Sequence, residues 1–398
     1  MNELIKQKVD AIAECIFSKI EKSSDEKEES YGLYSGEFGI LLFLLYYSRY
    51  TQNETYALLS EKYAEKLFQQ FITKNQIHTF CNGISGILYL FDFLREHDFI
   101  DMDVSDSQSF LDNYLIARMR NDIQQQHYDF MHGALGVGLY FLKKKSNPEC
   151  IQELIDFLYQ TAEKDTDNQI FKWKSIIDPE TNRIGYNLAL SHGISSIIIF
   201  LSRVINSGRN NEIIVEILSG AVNYVLSQQR DFTQFGSYFP NYIITNSNEP
   251  VSKSRMAWCY GDLGVGRALW QAGKTFDNAD WKEKGLEVLL KSTQRQSYDE
   301  SLIRDAGICH GSAGLAMIFR RLYLETGRNE FKDAINHWLR QTINMANFDD
   351  GLAGYKTYKN DGWECDYALL TGISGIGLVL LTCLEDDKQI WDEMLLLS

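Results

Sequence analysis

The chain is short of several things that would have decided its class. It has only four prolines in 398 residues. None falls inside a stretch with helical apolar spacing, so nothing in the sequence breaks a run of helices. No apolar run approaches the ~20 residues a membrane span needs, and the longest, such as 40–47, stop far short. The N-terminal stretch Asn2-Glu3-Leu4-Ile5-Lys6-Gln7 has neither the apolar core nor the cleavage site of a signal peptide. Positive charge is also in deficit: 39 Lys and Arg against 54 Asp and Glu give a formal charge of −15. That balance excludes a general nucleic-acid binder, whose affinity comes from neutralising phosphates. The seven cysteines are odd in number and scattered singly, with no pair at the two-residue gap of a zinc knuckle. Such usage suits a reducing compartment, with some thiols as ligands and the rest as small buried residues. A cytoplasmic location is therefore expected. No low-complexity segment or linker divides the chain, so residues 1–398 are expected to form a single domain.

What the chain has in quantity is apolar surface, 44% of residues with 13% aromatic, and a repeat. Glycine-rich turns recur at Gly36, Gly83, Gly133, Gly193, Gly261, Gly311 and Gly372, at intervals of 47, 50, 60, 68, 50 and 61 residues. Each is followed by an apolar run that reads as a buried helix: 40–47, 87–94, 137–142, 194–201, 265–270, 315–322 and 376–381. Between the turns lie segments with apolar residues three and four apart, the pattern of amphipathic helices. Leu4, Ile5, Val9, Ile12, Ile16 and Ile20 are one such stripe, and Phe331, Ile335, Trp338 and Ile343 another. Period-two alternation is confined to 232–244. Seven hairpins of this kind bury both faces by closing a ring. The expected fold is all-α, an α/α toroid with seven inner and seven outer helices and the Gly-rich turns on one rim. The two longest polar and irregular intervals, 164–187 and 229–256, would frame a cleft there.

Aligning the turns on their leading glycine exposes the chemistry. The preceding residue is Ser35, Asn82, His132, His192, Tyr260, His310 or Thr371, and the one before that Tyr34, Cys81, Met131, Ser191, Cys259, Cys309 or Leu370. Three of the seven histidines and three of the seven cysteines thus occupy fourteen places. The fifth and sixth turns, neighbours in a ring, supply Cys259, Cys309 and His310. Thiolate and imidazole together are what zinc prefers, and three protein ligands leave a fourth position for chemistry. The bare residues leave two other readings open. Cys81 and His132 share the register and could be ligands instead, or the thiols could be buried packing beside a hydrogen-bonded histidine.

The segments Trp258-Cys259-Tyr260-Gly261-Asp262-Leu263-Gly264-Val265-Gly266, Gly307-Ile308-Cys309-His310-Gly311-Ser312-Ala313-Gly314 and Leu190-Ser191-His192-Gly193 resemble the lanthionine synthetase C-like family. More narrowly, the chain is similar to the stand-alone cyclases of class I lanthipeptide biosynthesis. The resemblance spans nearly the whole chain and implies an α/α toroid with one Zn2+ per chain on Cys259, Cys309 and His310. It implies catalytic roles for His192, Asp129, Arg255 and Tyr260. The reaction implied is addition of cysteine thiols of a dehydrated precursor peptide to dehydroalanine or dehydrobutyrine, which forms thioether rings. The implied partners are that leader-bearing peptide, a lanthipeptide dehydratase and an exporter, with peripheral membrane attachment through such a complex. Two features depart from the pattern: Ser196 stands where the other turns have a second glycine, and His132 adds a third histidine. A small inserted peptide-binding subdomain is also implied, with no boundary legible here.

Two other functions remain compatible with these residues. The thiol could be glutathione, added to dehydroamino acids in proteins, or the chain could be a non-catalytic zinc-stabilised scaffold that presents a peptide. A prenyltransferase subunit is disfavoured by the lack of an adjacent-aspartate motif and of a basic diphosphate pocket.

Overall fold

The computed structural model describes every residue except 23–29, 74–76, 102–104, 179, 246–252 and 386–389. The chain divides into two compact units. The first joins residues 1–102 to 303–394 with Ser398, and the second holds 103–302 with 395–397.

In the first unit the helices Glu37–Thr51, Ile84–Glu96, Ser312–Thr326 and Ile373–Leu384 each start directly after a glycine turn. Their residues are buried nearly all round, which their uninterrupted apolar sequence allows. The helices Asn2–Lys22, Glu54–Thr73 and Asn329–Asn344 carry one apolar stripe each. In Asn2–Lys22 that stripe is Ile5, Val9, Ile12, Ala13, Ile16 and Phe17, packed on Ile373–Leu384. The second unit repeats the alternation. Ala134–Lys144, Ile194–Asn206 and Asp262–Thr275 are the buried helices behind glycine turns. Ser105–Gln124, Pro148–Thr161, Glu212–Ser227 and Ala279–Ser292 are the amphipathic ones.

The turns solve a problem that every helix start poses, the unpaired N–H groups of its first turn. No side chain caps the buried helices. Instead the first helical amide bonds the carbonyl seven residues back: Ile84 to Ile77 at 2.8 Å, Ala134 to His127 at 3.1 Å, Ser312 to Asp305 at 3.0 Å and Ile373 to Asp366 at 2.9 Å. That closure brings the helix hard against the turn backbone. A Cβ on Gly86 or Gly314 would lie 1.9 Å from the carbonyl oxygen of Phe80 or Ile308, so only glycine fits. In turn four Ser196 takes the equivalent place, and its hydroxyl donates to the Gly193 carbonyl at 2.7 Å.

Consecutive turns are stitched to each other through one register position. In the first unit the amide of Cys309 donates to the carbonyl of Leu370 at 2.8 Å, Leu370 to Tyr34 at 2.9 Å, and Tyr34 to Cys81 at 2.9 Å. In the second, Ser191 donates to Cys259 at 3.3 Å. These four bonds all fall two residues before a leading glycine.

The strands differ from the expectation of alternation at 232–244 alone. There only Tyr242–Ile244 is extended, and Phe232–Phe235 forms one helical turn. Among the described residues six further strands of three to five residues occur: Glu163–Asp165 with Ile170–Lys172, Ser175–Asp178 with Arg183–Asn187, and Thr357–Lys359 with Gly362–Glu364. Arg183–Asn187 also pairs with Tyr242–Ile244, so the two long irregular intervals meet in one three-stranded antiparallel sheet. Strands this short show no periodicity to read. Among the described residues no helix is long and apolar enough to cross a membrane.

Candidate active site

Turn four brings the site together within the second unit. Arg183–Asn187 runs straight into it, and the buried Asn187 side chain accepts the amide of Ala189 at 2.9 Å. The Cys259 carbonyl then accepts the amides of Leu190 (3.1 Å) and Ser191 and the Ser191 hydroxyl (3.2 Å). His192 is thereby fixed at the start of Ile194–Asn206. Its Nδ1 lies 2.7 Å from Oδ2 of Asp129, while Oδ1 of Asp129 accepts the backbone N–H of His132 at 2.8 Å. The His132 and His192 rings stack with centroids 5.6 Å apart and planes 15° from parallel, and Tyr260 lies 6.3 Å from His192 on a tilted plane.

Electrostatics polarise this group. Burial alone would raise the Asp129 carboxyl, but the His192 hydrogen bond and charge and the His132 amide outweigh it and hold the carboxyl below its usual range. Burial likewise works against charge on His192, and Asp129 overrides it, so the imidazole sits above its ordinary value. His132 goes the other way, lowered by burial and by the neighbouring His192 and His127 against the pull of Asp129.

Turn five carries Arg255, Cys259 and Tyr260. It needs Gly261 at φ +84°, where the other six leading glycines lie between −107° and −138°. A buried pair, Arg295 to Asp262 at 3.3 Å, brackets the segment. Asp262 accepts the amides of Tyr238 (3.0 Å) and Phe239 (2.9 Å), and Arg295 donates to the carbonyls of Ser254 and Glu300. Arg255 itself is half-buried between Ser254 and Met256, whose amide bonds Ser301 at 2.9 Å.

Turn six carries Cys309 and His310 over a buried carboxylate that sequence reasoning missed. Asp305 accepts the amides of Gly307 (3.0 Å) and Tyr358 (3.1 Å), and its Oδ2 lies 3.4 Å from Nε2 of His310. A carboxylate behind an imidazole that ligates a metal fixes the orientation and tautomer of the ring. Cys309 and His310 lie side by side in the first unit, and Cys259 holds the place of Cys309 in turn five of the second. Two thiols and an oriented imidazole, one buried and two half-buried, fit a borderline-soft divalent metal ion. Cys81 and His132 are not in this group. The Cys81 thiol instead donates to Oδ1 of Asn82 at 3.3 Å.

The chain is similar to known proteins. The family described as lanthionine synthetase C-like protein matches residues 27–396. The nisin biosynthesis protein NisC of Lactococcus lactis subsp. lactis is 24% identical over 379 residues, covering 87% of this chain and 84% of that protein. Among solved structures, nisin cyclase matches with a TM-score of 0.78 at 20% identity, over 97% of this chain and 96% of that one. Nisin cyclase is an α/α toroid, and the likeness shows that fold for this chain.

Proposed function

The chain belongs to the lanthionine synthetase C-like family, and on that premise we propose that it is a zinc-dependent lanthipeptide cyclase. It forms (methyl)lanthionine rings by adding cysteine thiols of a dehydrated precursor peptide to dehydroalanine or dehydrobutyrine. The observation that carries this reading is His192 bonded to Asp129 at 2.7 Å beside Tyr260, and the metal ligands of the reading are Cys259, Cys309 and His310. These three would hold one Zn2+ per chain, with Asp305 orienting His310. When bound, the ion supplies a Lewis acid that lowers the pKa of the substrate thiol so that thiolate forms near neutrality.

The other residues manage charge and protons. As the sulfur–β-carbon bond forms, the π pair of the alkene moves onto the acceptor carbonyl as an enolate. Arg255 and Tyr260 offer a positive charge and a hydroxyl donor to that oxygen. His192, its imidazole held above its ordinary value against burial by its bond to Asp129, gives its proton to the α-carbon and completes the ring. All of residues 1–398 serve this one function. A small inserted peptide-binding subdomain is part of the same reading. The setting is cytoplasmic, with a leader-bearing precursor delivered by a dehydratase and the product passed to an exporter.

The test is thiol alkylation and mass spectrometry of a dehydrated peptide incubated with the protein. Ring closure leaves peptide mass unchanged while free cysteines disappear, whereas addition of glutathione would raise the mass. His192→Ala should keep its zinc and slow closure by ~10²–10⁴-fold, the usual worth of a general acid or base. Closure at the parent rate by a zinc-loaded His192→Ala protein removes His192 from the mechanism.

A further inference from the structure

One carboxylate in this protein positions two histidines. Asp129 holds the ring of His192 through Oδ2 and the backbone of His132 through Oδ1, and the two imidazoles lie face to face with centroids 5.6 Å apart. His192 is partly exposed, and His132, stacked against it, is exposed. Thiol addition moves two protons in opposite senses, one off sulfur and one onto the α-carbon. A lone imidazole could serve both only in sequence, by taking the first proton and carrying it to a different atom.

We propose that His132 is a second catalytic residue, the general base that takes the proton of the incoming cysteine thiol while His192 acts as the acid. The proposal rests on the role given to His192 above. In the step, the S–H bond breaks and its proton passes to a ring nitrogen of His132. The sulfur electron pair forms the bond to the β-carbon, the alkene pair becomes the enolate, and the His192 proton is transferred to the α-carbon. His132 ends with one proton more and His192 with one fewer. Transfer from the first to the second, through solvent at the open edge of the stack, restores the starting state. The electrostatics suit this division. The charged groups acting on His132 are Asp129, His192 and His127, and their sum with burial favours its neutral form, whereas His192 favours its charged one. Two neighbouring groups pushed apart in this way are the usual mark of an acid–base pair.

The test uses zinc-loaded full-length protein and a synthetic peptide carrying one dehydroalanine and one cysteine. His132→Ala and His132→Gln should both close the ring ~10²-fold or more slowly, with parent zinc content and helical spectrum. Added imidazole should restore much of the rate to His132→Ala, whose vacated site is open to solvent, and leave the parent enzyme unaffected. Packing alone would not respond to imidazole. Parent rates in either variant overturn the proposal, as does a slow His132→Ala protein that imidazole fails to rescue. His192→Ala measured alongside separates the two claims: a parent rate there defeats the acid assignment itself, whatever His132 does.

Discussion

His192 Nδ1 meets Oδ2 of Asp129 at 2.7 Å across 63 residues of sequence, and this contact sets which ring nitrogen faces outward and how readily it is charged. The bond commits Nδ1 to the carboxylate and turns Nε2 away from it. It also raises the imidazole above its ordinary value.

The first prediction follows from that sign. An acid catalyst works while protonated, so the rate should fall as pH rises through the pKa of His192. Asp129→Asn removes the charge that raises this pKa. The alkaline limb of the rate profile should therefore shift to lower pH, with the maximal rate lower as well. A limb that stays in place would show that Asp129 does not govern the titrating group.

Metal content gives the second. Purified protein should carry about one zinc per chain, and Cys309→Ala should lose most of it with its helical spectrum intact. The buried helices owe their stability to apolar packing, which the metal does not supply. Zinc that survives simultaneous replacement of Cys259 and Cys309 would refute the ligand set.

Asp305→Asn tests the carboxylate behind His310. Asparagine keeps one acceptor oxygen, so only one of the amides of Gly307 (on Oδ1) and Tyr358 (on Oδ2) retains its partner, and thermal unfolding measured alongside separates a loosened turn from an effect at the metal. Zinc affinity should fall ~10–100-fold, the typical effect of losing an outer-shell partner. Competition with a chromophoric chelator measures it, and parent affinity would mean that Asp305 serves the backbone alone.

Gly314→Ala addresses the turn architecture. The added methyl would meet the Ile308 carbonyl at 1.9 Å, and overpacking of this kind costs about 1–3 kcal/mol. Thermal or urea unfolding should show that loss, while Ser196→Ala in turn four should cost well under it. Equal effects at the two positions would mean that the close approach is not what demands glycine.

Much of this arrangement could be read from the chain because one register repeats. Cys259 and Cys309 stand out as metal-prone residues at a place that elsewhere holds Tyr34, Met131 or Leu370, and His310 at one that elsewhere holds Ser35, Asn82 or Thr371. The helices were legible for the same reason, since their apolar spacing is long and uninterrupted. The strands were not. In Ser175–Asp178 and Arg183–Asn187, pairing is set by a local turn and a bulge rather than by alternating side chains. Asp305 was equally hidden, because a carboxylate five residues before a ligand matches no pattern until folding turns it back under the imidazole. The stacking of His132 on His192 likewise depends on Asp129 bonding both, and spacing carries no trace of it.

The bond from the Leu370 amide to the Tyr34 carbonyl has a consequence for how the protein is made. It belongs to a unit whose halves, 1–102 and 303–394, are separated by residues 103–302. A ribosome adding about 5–20 residues per second spends roughly 10–40 s on that intervening stretch. Throughout that interval the N-terminal helices lack the strip of Ile373–Leu384 against which Ile5, Val9 and Ile12 will pack. Cys309 gains its backbone anchor only after Leu370 has been added. The first unit is thus completed only at the end of translation, and a chain stalled before residue 370 keeps its N-terminal apolar helices uncovered, a target for chaperones.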